Sequence, residues 1–192
     1  LDRAMEVFVG RVYRCKDPSL DRFEDILVQD GTSFALHSEL RKHFPGRFTK
    51  KHPAAVEVHC TYSLFRGQCT TAAIAPDKQG ERDFLPAPEK LRRHLLLLDA
   101  GYLSFSYFEK VRAAGGHLIC RGKKPANPRI LAVYRGIHDP SRIIGQRIRD
   151  VSLPRNTIDL LVQGADRRGK KYALRLVMKD SPQEKTHIMV FT

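Results

Sequence analysis

Apolar residues in this chain fall into short runs, and the runs change character along its length. Residues 3–14 carry Met5, Phe8, Val9 and Val12 at helical spacing, which reads as the end of a preceding helical region closed by Pro18-Ser19. Glu24-Asp25-Ile26-Leu27-Val28-Gln29-Asp30 is a short apolar run meeting Gly31, the pattern of a buried strand followed by a turn. Ser33 is placed to cap a helix through Ala35, Leu36, Leu40 and Phe44, stopped by Pro45-Gly46. Val56–Leu64 and Cys69–Ala75 are β-rich and joined at Arg66-Gly67-Gln68, which predicts a hairpin. After the polar loop Pro76–Pro88, Leu95–Leu98 forms a second buried strand. Ser104 then opens a helix through Phe105, Phe108 and Val111 that Gly115-Gly116 ends, and His117–Cys120 is a further strand. Beyond the basic turn Arg121–Pro125 no helix is expected. Ile130–Tyr134, Thr157–Val162, Tyr172–Val177 and His187–Phe191 read as strands separated by basic loops. These elements predict an α/β (α+β) chain: a tail over 1–20, a core over 21–130 and a β-rich subdomain over 131–192.

Length and composition narrow the class. With 192 residues, 42% of them hydrophobic and 29% charged, the chain can bury a real core. No apolar run approaches the roughly 18 residues of a membrane helix. No secretory pattern opens at Leu1-Asp2-Arg3. The chain begins without Met and stops at Phe191-Thr192 inside a β-prone run, so a fragment of a longer protein is expected. Cys15, Cys60, Cys69 and Cys120 form no C-x-x-C pair, and the Cys60–Cys69 spacing beside His59 matches no zinc finger. Reduced thiols and a cytoplasmic location follow.

Charge adds a partner class. Lys and Arg total 34 and Asp and Glu 21, a net of +13. Residues 121–192 hold 16 basic and 6 acidic residues, a net of +10, against +3 for residues 1–120. A basic excess gathered in one part of a chain favours a polyanion, of which nucleic acid is the commonest; a solubilising surface is the plain alternative.

Candidate chemistry comes from two acids. Asp30-Gly31-Thr32 and Asp99-Ala100-Gly101-Tyr102 both end apolar strands. A strand buried on both faces tolerates a carboxylate only at its end, where water or metal solvates it. On neighbouring strands about 4.8 Å apart, two such acids form a hard-oxygen site for a divalent ion, though each alone is an ordinary turn residue.

Those residues also carry a resemblance. Val28–Phe34, Glu81–Pro86, Leu96–Tyr102 and Leu118–Lys123 resemble bacterial insertion-sequence transposases of the DDE type, in the IS-four branch, and Tyr172–Val177 resembles the family's β-rich insertion. The resemblance covers nearly the whole chain. It implies a ribonuclease-H-like mixed sheet with flanking helices, the first acid on its first strand and the second on its fourth. Asp30 and Asp99 would then be catalytic, metal-binding acids for two Mg2+ or Mn2+ ions. Cleavage and strand transfer would occur at the transposon ends, on double-stranded DNA in the bacterial nucleoid, with a possible homodimer in the DNA complex. The third acid, a glutamate on a helix after the insertion, has no counterpart before Thr192. Glu109 and Glu184, the glutamates after Asp99, fit neither its helix nor its motif. The fragment is therefore expected to be inactive alone. Ala100 departs from the arginine of many relatives.

Further residues have two readings each. Arg121, Lys123 and Lys124 would position phosphates, or form a solvated turn. Thr32 and Ser33 would touch DNA beside the first acid, or Ser33 would serve as the helix cap. Tyr102 would stack on sugar or base, or pack at its turn. The tract Arg47–His52, with Phe48, would contact DNA or stay solvated. His37, His43 and His52 form no Ser/His/Asp set, and no phosphate-binding G-x-x-x-x-G-K occurs. The competing functions are a non-catalytic nucleic-acid-binding module and another nuclease on the same fold.

Overall fold

A computed structural model describes residues 18–123, 126–166, 168–181 and 186–192. The tail reading over residues 1–17 lies outside them, and Pro18–Arg22 form a single 3-10 turn.

One nine-stranded sheet organises the chain, in the order β3-β2-β1-β4-β5-β9-β8-β7-β6. Its first half is β1 (Asp25–Ala35), β2 (Ala55–Ser63), β3 (Gln68–Pro76), β4 (His94–Leu98) and β5 (His117–Arg121). β1, β2 and β3 form an antiparallel meander, while β4 and β5 run parallel to β1. This is the mixed sheet expected, with Asp30 on the first strand and Asp99 directly after the fourth. The return from β4 to β5 uses the one α-helix among the described residues, α1 (Phe105–Ala113). Phe108 and Val111 face the sheet, and Gly115 closes the helix at φ +79°, a conformation glycine adopts without strain.

The second half is β6 (Arg129–Arg135), β7 (Ile158–Ala165), β8 (Lys171–Ser181) and β9 (Thr186–Phe191). These four strands extend the same sheet, because β9 pairs with β5 at Cys120↔Phe191 and Arg121↔Val190. One core crosses the junction. Leu27, Leu96, Leu98, Phe108, Val111 and Cys120 from the first half pack with Ile158, Leu160, Leu174, Leu176 and Phe191 from the second. A smaller cluster of Phe23, Ile26, Phe65 and Leu95 lies on the other face.

Two expectations are corrected at β1. The chain does not turn at Asp30-Gly31, and no helix runs from Ser33 to Phe44. β1 continues to Ala35, paired with β2 from Leu27↔Ser63 to Ala35↔Ala55, and a short 3-10 turn follows at Ser38–Lys42. The ladder satisfies backbone groups that a turn would leave to water. The Ser33 hydroxyl donates to Asp77 Oδ1 at 2.6 Å instead of capping a helix.

Candidate active site

The strand register brings the two acids together. β1 and β4 pair in parallel up to Gln29↔Leu98, and β4 then ends. Asp30 and Asp99 are the residues immediately after that last pair. Asp99 keeps extended dihedrals, φ −77° and ψ 170°, so the alternation of faces carries through it. Both acids leave the sheet on the face opposite Gln29 and Leu98, and both are exposed.

The same row continues sideways. Asp30 is opposite Cys60 on β2, and one step past Leu98↔Cys120 places Arg121 on β5 beside Asp99. Arg121 is exposed on that face, as is Thr32 two residues beyond Asp30. The structure thus gathers Asp30, Thr32, Asp99 and Arg121 on one side of the sheet. Lys123 follows in the loop after β5, and Lys124 lies outside the described residues. Tyr102 goes elsewhere: it is 2% exposed, in the core beneath the Asp99 turn, with burial pushing its phenol up to about 12. Packing, not base stacking, is the role its position supports.

Behind the acids, on the inward face, lies a charged cluster the sequence did not announce. Arg47 donates through Nη2 to Glu57 Oε2 and through Nη1 to Glu81 Oε1, each at 3.0 Å. Its backbone N–H donates to Asp77 Oδ2 at 2.8 Å and its Nε to the Asp77 carbonyl at 3.2 Å. Burial raises the Glu57 carboxyl above its ordinary range, and Arg47 offsets only part of that rise. Burial also acts to raise Asp77, but the Ser33 hydroxyl and Arg47 outweigh it and hold the carboxyl low. His59 is stacked on Phe84 with ring centroids 3.8 Å apart. Both its ring nitrogens are buried without a hydrogen-bond partner, and burial lowers its pKa below 6.5. Arg47 belongs to the tract read as a DNA contact or a solvated loop. Its partners stand 10, 30 and 34 positions away, a separation that leaves no local pattern.

Chemically, two exposed carboxylates side by side offer hard oxygen donors. Among the described residues no three His, Cys, Asp or Glu side chains come together as a metal cluster. Two carboxylates suit Mg2+, which keeps several waters and takes one or two carboxylates together with phosphate oxygens.

A basic groove lies in the second half. Arg129, Arg147 and Lys171, with Asn127 and Gln163, line a depression of about 860 Å³ that includes Phe105, the first residue of α1. The backbones of Arg129 and Arg147 form a bridge. Their guanidinium groups donate to the Gly145 carbonyl at 2.9 Å and the Asn127 carbonyl at 3.0 Å, which fixes them without neutralising them.

Residues 21–187 match the family described as the Transposase DDE domain. A curated relative, the transposase for insertion sequence element IS1151 of Clostridium perfringens, is 26% identical over 103 residues, which is 53% of this chain and 22% of the relative. The chain therefore aligns with less than a quarter of that protein. Among solved structures, the cryo-electron-microscopy structure of the piggyBac transposase synaptic complex with hairpin DNA aligns over 86% of this chain and 32% of its own, with a TM-score of 0.44 and 11% identity.

Proposed function

The chain belongs to the transposase DDE domain family, and from that premise we propose that it is the metal-binding core of a DNA transposase that cuts and joins DNA at transposon ends. The observation that supports the reading is that Asp30 and Asp99 directly follow Gln29 and Leu98, the last pair of the β1–β4 ladder.

In this reading Asp30 and Asp99 hold two Mg2+ or Mn2+ ions. Ions held there would supply Lewis-acid chemistry, lowering the pKa of a water and offsetting charge at the leaving 3′ oxygen. The residues of the chain do the rest. The two aspartates stand exposed at the sheet surface, with Asp30 Oδ1 accepting from the Gly31 N–H at 2.8 Å. Arg121 and Lys123 hold backbone phosphate beside them, and Thr32 contacts the strand next to Asp30. The Arg129, Arg147 and Lys171 groove carries the duplex onward from the acids through charge rather than base readout. The liberated 3′ hydroxyl then attacks target DNA by the same geometry. The family resemblance implies a third carboxylate, a glutamate, that would complete the site. The full protein acts in the cytoplasm, on the bacterial nucleoid, and pairs as a homodimer on its DNA.

The test is strand cleavage by the full-length transposase carrying Asp30→Asn or Asp99→Asn, assayed on transposon-end duplex with Mg2+. Each change should abolish cleavage while leaving salt-sensitive DNA binding intact. Cleavage that survives either change removes that aspartate from the site. Products cut but never joined to a target would identify a nuclease on the same fold instead.

A further inference from the structure

Each of the two acids is followed closely by a glycine, Gly31 and Gly101, and neither glycine has a positive φ. Backbone conformation therefore does not require glycine at these positions. Close approach does. A methyl group on Gly31 would lie 2.7 Å from Glu57 Oε1, and one on Gly101 would overlap Glu81 Oε2. So a carboxylate rests against the backbone one residue past Asp30, and another rests two residues past Asp99. The same guanidinium, Arg47, holds both carboxylates, each at 3.0 Å.

This matters because of where the backbone ladder stops. β1 and β4 are tied together only as far as Gln29↔Leu98. Beyond that pair, β1 continues along β2, while the chain after Leu98 leaves in a single 3-10 turn at Ala100–Tyr102. The ladder between β1 and β4 no longer sets the gap between Asp30 and Asp99. The bridge Gly31–Glu57–Arg47–Glu81–Gly101 spans it from behind. Glu57 is 6% exposed, Glu81 24% and Arg47 40%, so the bridge is buried at Glu57 and open to water at Arg47.

We infer that Arg47, Glu57 and Glu81 are positioning residues that set the separation of Asp30 and Asp99 and hence their grip on a divalent ion. The inference rests on the proposed metal role of the two aspartates. It runs against simple electrostatics, which gives the test its sign. Removing a positive charge near a cation site should tighten cation binding. Removing the spacer should loosen it, because the Glu57 and Glu81 carboxylates would repel each other and the acids would drift from their shared geometry. Lys does not replace Arg here, since an ammonium lacks the planar fork that reaches two carboxylates at once.

The experiment is Mn2+ binding to the 192-residue chain, followed by electron paramagnetic resonance of the free ion. Variants are Arg47→Gln, Arg47→Lys, Gly101→Ala and Asp30→Asn, with circular dichroism as the folding control. Arg47→Gln and Gly101→Ala should each weaken Mn2+ binding about tenfold or more, the range for groups that orient metal ligands. Arg47→Lys should stay weakened. Unchanged or tighter binding in Arg47→Gln, or full recovery in Arg47→Lys, overturns the inference. Asp30→Asn separates the two ideas. If wild type and Asp30→Asn bind Mn2+ equally, or neither binds, the metal reading falls. Amide exchange then judges the bridge alone. The Tyr102 N–H, bonded to the Asp99 carbonyl at 3.2 Å, should exchange faster in Arg47→Gln while the Leu176 N–H keeps its protection. Unchanged exchange at Tyr102 overturns the bridge whatever the metal does.

Discussion

In β7 and β8 every second side chain is apolar and buried, from Ile158, Leu160 and Val162 to Leu174, Leu176 and Met178. The inward side of β1 and β2 buries Asp25, Gln29, Glu57, His59, Thr61 and Ser63 at the corresponding positions. Both halves belong to one sheet, so the contrast is not one of fold. Apolar alternation is what a half-buried sheet needs to hold together. Buried polar groups cost desolvation and persist only where partners satisfy them. Here partners are present for nearly all of them: Ser63 donates to Asp25 at 2.6 Å, Thr61 to Gln29 at 2.5 Å, and Arg47 spans Glu57 and Glu81. The second half supplies stability and cationic surface, and the first spends stability on fixing the geometry around two acids.

The largest expected effect tests the stabilising half. Leu160 is fully buried between Val133 on β6 and Leu176 on β8. Leu160→Ala should cost about 2–5 kcal/mol of unfolding free energy in urea melts, through lost transfer energy and a residual cavity. Mn2+ binding per folded molecule should not change. If binding fell with stability, the two halves would be one cooperative device, and the division of labour would fail.

Next comes the charge of the second half. Arg129, Arg147 and Lys171 changed together to Gln should lower DNA affinity and flatten its salt dependence. Each phosphate that is no longer neutralised lowers the slope of log K against log salt by about 0.9. Fluorescence anisotropy on a short duplex reads that slope. Arg22, Lys42 and Lys110, all exposed and none of them lining the groove, serve as an equal-charge control triple. An equal drop in affinity for both triples would mean that net charge, not the groove, binds DNA.

The contrast between the halves also decides what could be read from sequence. β6 to β9 were legible because nothing but burial shapes them. The Asp99 turn was legible because β4 is an unbroken apolar run and the carboxylate ends it. β1 was misread past Asp30 because Asp-Gly is locally a turn and Ala35, Leu36, Leu40 and Phe44 keep helical spacing. A ladder of β2 partners overrides both signals. The adjacency of Asp30, Asp99 and Arg121 depends on which strands are neighbours, and no local pattern states that. Arg47 was the least legible, for its role exists only through Glu57, Asp77 and Glu81.

The smallest effect belongs to His59, whose buried ring nitrogens make no hydrogen bond, although Nε2 lies 3.7 Å from Glu57 Oε2. Burial holds its folded pKa below the 6.5 of an exposed imidazole, with Glu81 pulling upward and Arg47 downward around it. As pH falls through 6.5 the unfolded chain takes a proton on this residue before the folded chain does. Stability is therefore fully present above 6.5 and is lost as pH falls toward the folded pKa. Glu57 works in the opposite sense: its raised folded pKa favours the folded state as the carboxyl protonates, above the ordinary 4.5. His59→Phe keeps a ring to stack on Phe84 and removes the titration. Thermal melts of wild type between pH 7.5 and pH 5.5 should show a falling midpoint, and His59→Phe should flatten that fall. An equal fall in both proteins would assign the pH dependence to other groups, and the buried imidazole would be a packing residue with no electrostatic cost of its own.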